Sequence, residues 1–132
     1  MYSRGTHTLM RLEALLGLGV AVALALRHLG EMRWGPFLFF FMSIDLIGYI
    51  PGAIAHRQAH GAPIPNVYHA LYNTTHSFLW NAALVAAWTL AFGPEWAFLA
   101  IPIHLLGDRA IFGNFFKPFG TPFEPTLQGA AS

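Results

Sequence analysis

Residues 34–55 read WGPFLFFFMSIDLIGYIPGAIA, a run in which Asp45 is the sole charge. A hydrocarbon core of roughly 30 Å takes about 20 helical residues, so the run is long enough to cross a bilayer as a helix. Three more apolar runs of similar length lie at about residues 9–28, 67–92 and 96–116. They are separated by Gly30-Glu31-Met32-Arg33, by a longer loop at 56–66 that holds Gly61, Pro63 and Pro65, and by Gly93-Pro94-Glu95. Connections this short between helices make consecutive helices antiparallel neighbours. The expectation is an all-α membrane protein, an antiparallel four-transmembrane-helix bundle that forms one domain over residues 1–117. A Phe/Pro/Gly-rich tail at 118–132 follows, of a composition that cannot fold alone.

Composition points the same way. The chain has 132 residues, of which 55% are hydrophobic and 10% charged, and its mean hydropathy is +0.49. Soluble domains carry about 25% charged residues. A net charge of +1 with no basic run excludes a nucleic-acid footprint, which needs clustered Lys and Arg. The absence of Cys excludes disulfide frameworks, thiolate metal sites and thiol chemistry. Seven His leave imidazole as the informative side chain, both a metal ligand and a proton carrier. Arg4 and Arg11 ahead of an apolar run with Ala23-Leu24-Ala25 resemble a cleavable signal peptide, but Glu13 inside that run favours a retained helix. With four crossings, Arg4, Arg11, Arg57 and Lys117 share one side and Arg27 and Arg33 the other, so both termini are expected to be cytoplasmic.

The polar residues inside the runs carry the functional reading, since an ionisable group at mid-bilayer costs about 2.5–3.5 kcal/mol on insertion scales. Glu13 lies early in the first run and Asp45 in the second. His69 and His76 lie in the third, and His104, Asp108 and Arg109 in the fourth. His104 and Asp108 are four residues apart and project from one helix face. His69, Asn73 and His76 recur at helical spacing. Gly48, Pro51 and Gly52 loosen the backbone after Asp45, where carbonyls can line a polar cavity. At about 1.5 Å per residue, Asp45, His76, His104 and Asp108 all lie roughly 12–18 Å from the cytoplasmic helix ends, with Glu13 shallower at about 6 Å. This is the pattern of a carboxylate–imidazole metal site in a bundle core, with Asp45, His76, His104 and Asp108 as ligands of zinc, manganese or iron. A metal-free ionic or proton-relay network, and a haem or pigment held through His, are the alternatives. His7, His28, His56 and His60 fall at boundaries or in the second loop, where solvated imidazole is the ordinary reading.

Four pieces of the chain also carry a family likeness: Arg11-Leu12-Glu13, Ser43-Ile44-Asp45-Leu46-Ile47-Gly48-Tyr49, Tyr72-Asn73-Thr74-Thr75-His76-Ser77 and His104-Leu105-Leu106-Gly107-Asp108-Arg109. Over about residues 11–117 the chain resembles domain-of-unknown-function family 4260, small bacterial four-helix membrane proteins with Glu, Asp, His and His-x3-Asp in this order. The Thr75-His76-Ser77 and His-x3-Asp pieces are similar to those of the LexA-linked membrane-bound metal-dependent hydrolases. The resemblance implies a bacterial inner-membrane protein with an intramembrane metal site.

Two functions follow as expectations. One is a metal-dependent hydrolase of a lipid-like ester, phosphate or amide, in which Glu13 or His69 moves protons and Arg109 holds an anionic headgroup. The other is a small accessory subunit of a larger membrane complex, or a homo-oligomer, whose Pro-rich tail orders against its partner.

Overall fold

The apolar runs form helices, which satisfy the backbone within each segment, and the helices break where Gly, Pro or clustered hydroxyls interrupt the ladder. The computed structural model describes residues 3–124, and among them no strand occurs. Six α-helices follow in order: α1 Arg4–Arg27, α2 Trp34–Gly48, α3 Ile50–Gln58, α4 Asn66–Thr75, α5 Phe78–Phe92 and α6 Ala100–Gly107. A 3₁₀ turn, Trp96–Leu99, leads into α6, and a π turn, Asp108–Phe112, leads out of it.

Two helices are long and apolar enough to cross a membrane. One is α1, with a mean hydropathy of 2.0; the other is the α2–α3 stretch Trp34–Gln58, with 1.8. Only 17% and 22% of their most apolar windows are buried in the protein, unlike the core helices of soluble domains. The four-span bundle expected from the sequence is drawn more finely than this. The third expected span, 67–92, is interrupted at His76 and Ser77, between α4 and α5. The reason is local: Thr75 Oγ1 donates to the carbonyls of Leu71 (2.9 Å) and Tyr72 (3.1 Å), and Ser77 Oγ to that of Thr74 (2.8 Å). Side chains that bond the preceding turn compete with the helical ladder. The fourth expected span, 96–116, holds only eight α-helical residues between its 3₁₀ and π turns.

The chain divides into two compact units, residues 3–42 with 78–115 and residues 43–77 with 116–124. α2 contributes its first turns to one and its last turns to the other.

In the first unit, Ser3 caps α1 by accepting from the Thr6 amide at 3.1 Å. Ala14, Ala21 and Ala25 form its buried stripe, small residues that let α6 and the π turn approach. At Gly17 a Cβ would lie 2.9 Å from Leu106 Cδ1. The wide π turn leaves carbonyls without helical partners, and Arg11 supplies them. Its guanidinium donates to Ala110 O at 3.2 and 3.1 Å and to Ile111 O at 3.0 Å. Gly113 ends the turn with φ +68°. Phe40 is fully buried among the rings of Phe39, Trp88 and Phe98. Glu95 accepts from Trp88 Nε1 and pairs with Arg33 at 3.2 Å.

The second unit is built from the end of α2, from α3 and α4, and from the extended segment 116–124. Gly48 faces Thr75 so closely that a Cβ would lie 1.8 Å from Thr75 Oγ1. The ring of buried Phe123 occupies the place a Cβ on Gly52 would take, 2.2 Å away. Asn73 grips the Lys117 backbone twice: Nδ2 donates to Lys117 O at 2.8 Å, and Oδ1 accepts from Lys117 N at 2.6 Å. Lys117 Nζ donates to Phe123 O and lies 4.7 Å from the centroids of the Tyr72 and Phe123 rings. Tyr49 OH donates to Glu124.

Candidate metal centre

Each unit holds a buried histidine paired with a carboxylate, His76 with Asp45 and His104 with Asp108, and the two pairs are built alike. In the second unit His76 caps the C-terminus of α4, and its Nε2 lies 3.2 Å from Oδ1 of Asp45, near the end of α2. Its other nitrogen, Nδ1, lies 2.9 Å from the Tyr72 carbonyl. A carbonyl only accepts, so Nδ1 carries the proton, and in the neutral ring Nε2 holds the lone pair. In the first unit His104, on α6, has Nδ1 2.7 Å from the Phe41 carbonyl and Nε2 3.3 Å from Oδ2 of Asp108. The same tautomer follows. In both pairs a nitrogen lone pair therefore stands beside a carboxylate oxygen, and two such atoms are held together by a shared proton or a shared cation.

The separations suit a cation. Two ligand atoms about 2.0–2.2 Å from one ion lie about 2.8–3.1 Å apart at octahedral and about 3.3–3.6 Å at tetrahedral angles, and the 3.2 and 3.3 Å here fall within that span. A ligating histidine characteristically donates its far N–H to a carbonyl or carboxylate, which fixes tautomer and ring plane, and His76 and His104 both do so. The residue that supplies the carbonyl also supplies a ring. Tyr72 stacks on His76 with centroids 3.8 Å apart, and Phe41 lies against His104 at 4.7 Å. Both imidazoles are buried, at 4% exposure, whereas the Asp45 side chain is 42% and Asp108 22% exposed. The bases are fixed and the acids keep some access.

Among the described residues, Asp45, His76, His104 and Asp108 are the His and acid side chains that could hold a metal ion. These are the four ligands expected from the sequence. The donor set is two imidazoles and two carboxylates, borderline to hard, which suits zinc, manganese or iron and excludes ions that require thiolate.

Glu13, His69 and Arg109 are the other expected site residues. Glu13 is exposed on α1, between exposed Leu12 and Leu15. His69 is buried on α4 and donates from Nε2 to the Thr121 carbonyl at 2.8 Å. Arg109, in the π turn, lies over the rings of Phe78 at 5.2 Å and Phe115 at 5.7 Å. Of the boundary histidines, His7 reaches the Gly113 carbonyl at 3.2 Å, and His28 stacks on Trp96 at 3.6 Å and pairs with Glu31 at 3.3 Å. The orienting residues Phe41 and Tyr72 escape a reading by residue type, because it is their backbone carbonyls that act. Their one visible signal is position: Tyr72 stands four residues before His76, where a helix places its carbonyl near the later side chain. The described part of the tail, through Glu124, lies against its own unit, and residues 125–132 fall outside the described residues. The chain matches no protein-family model, no curated protein and no solved structure.

Proposed function

We propose that Asp45, His76, His104 and Asp108 together hold one divalent transition metal within a membrane, and that the centre hydrolyses a lipid-like ester, phosphate or amide. The observation that supports this most directly is the repeated construction of the two pairs: Nδ1 bound to a backbone carbonyl and Nε2 at ligand spacing from a carboxylate. Asp45 and Asp108 offset the charge of a divalent ion, which in turn offsets the cost of holding two carboxylates within a membrane. An ion in such a site supplies Lewis acidity and lowers the pKa of coordinated water towards about 7. Hydrolysis needs a position open to water and substrate. A tetrahedral zinc bound by all four side chains has none, whereas six-coordinate manganese or iron has two, so the proposal favours an ion that accepts six ligands. Asp45, the more exposed acid, marks the side of approach. Arg109 follows Asp108 in the chain, and in this reading it holds an anionic headgroup. The accompanying topology is four crossings of the bacterial inner membrane with both termini cytoplasmic, in keeping with the resemblance to family 4260.

The test is elemental analysis of protein purified in mild detergent without chelators. About one transition-metal ion per chain is expected, falling below about a tenth in Asp108→Ala and in His76→Ala and unchanged in Glu13→Ala. Wild-type protein that is metal-free, and that takes up no manganese, iron or zinc on equilibrium dialysis, removes the proposal.

A further inference from the structure

The second unit carries a partly open pocket of about 150 Å³ between the loop that follows α3 and the 120–123 segment. His56, Ile64, His69, Thr121, Pro122 and Phe123 line it. The wall is apolar over Ile64, Pro122 and Phe123 and polar at the two imidazoles and Thr121. His69 is 1% exposed. Its Nε2 donates to the Thr121 carbonyl, so in the neutral ring Nδ1 is a hydrogen-bond acceptor. That Nδ1 is buried and meets no hydrogen-bond donor among the described residues. A buried polar atom left unmatched costs about 1–3 kcal/mol, and a ligand that donates to it recovers that cost.

We propose that this cavity binds a small uncharged molecule, apolar except for one hydroxyl, with its O–H donating to His69 Nδ1. Size sets the upper bound: a cavity of roughly 150 Å³ admits a single benzene ring. Chemistry sets the rest. The ring nitrogen has one lone pair to offer, so one donor is matched. The surrounding Ile64, Pro122 and Phe123 side chains reward an apolar body and penalise further polar groups. Thr121 fixes the tautomer that makes Nδ1 the acceptor, which gives the 116–124 segment a part in recognition as well as in packing. His69 lies seven residues before His76 on the same helix, about 10 Å along its axis, and nothing in this proposal requires a metal.

Phenol and benzene are the probes, the second matching the first in shape without the donor. Full-length protein in lipid nanodiscs, with ¹⁵N-labelled histidine, is titrated with each and followed through the Nδ1 resonance, assigned by its absence in His69→Phe. Phenol is expected to move that resonance saturably and to bind at least tenfold more tightly than benzene. Ile64→Trp, a substitution in the loop that fills the cavity and leaves α4 untouched, is expected to weaken phenol at least tenfold. An Nδ1 resonance that ignores phenol at saturating concentration, as with a retained water, overturns the proposal. So does equal binding of benzene, or phenol affinity unchanged in Ile64→Trp.

Discussion

A histidine becomes a dependable ligand only when something decides which nitrogen carries the proton. For His76 and His104 the decision belongs to backbone carbonyls, of Tyr72 and Phe41 respectively, and a backbone acceptor cannot be mutated away. What can be changed is the ring of the same residue. Phe41→Ala keeps the carbonyl and removes the surface that holds the His104 plane. Loss of an orienting partner typically weakens a metal roughly 10–100-fold, so Phe41→Ala is expected to bind manganese about tenfold more weakly, by competition with a fluorescent chelator, while circular dichroism stays that of the wild type. Unchanged affinity would leave the ring a packing residue only. The four candidate ligands are legible from residue type and spacing, because two acids and two imidazoles in a chain with so few polar residues stand out. The tautomer-setting partners are not, since a carbonyl belongs to every residue.

At the scale of elements, the breaks after α1, α3 and α5 fall at Gly30–Arg33, within 56–66 and at Gly93–Glu95, where Gly and Pro mark them. The interruption at His76–Ser77 was harder to see, because Thr and Ser are tolerated in helices until they bond the preceding turn. The π turn at Asp108–Phe112 was harder still. Its wide spacing is sustained by Arg11, which lies about a hundred residues away in sequence, as a donor to carbonyls the turn leaves open. In the second unit Gly52 packs closely against the Phe123 ring. A methyl group there meets an aromatic ring held on both sides, and overpacking of this kind costs about 1–3 kcal/mol. Gly52→Ala is expected to lower the thermal midpoint in detergent and to expose the Phe123–Glu124 bond to chymotrypsin. A midpoint and cleavage pattern equal to wild type would show that the ring moves aside freely.

For the molecule as a whole, hydropathy identifies α1 and the α2–α3 stretch as long enough to span a bilayer, while the α4–α5 and α6 regions reach comparable lengths only as broken helices. The sequence shows apolar length and hides the breaks, so the number of crossings is a matter for direct mapping. The absence of cysteine makes that simple. Single variants Ser3→Cys, Glu31→Cys, Ala62→Cys and Pro94→Cys, probed with a membrane-impermeant maleimide in right-side-out and inverted vesicles, are expected to label in alternation. Positions 3 and 62 should react on the cytoplasmic face and positions 31 and 94 on the other. Labelling of position 94 together with 62 would rule out a third crossing and, with it, the four-span topology.

α2 carries, one turn apart, the carbonyl that sets His104 and the acid that faces His76. One stretch of five residues, Phe41 to Asp45, thus serves two histidines.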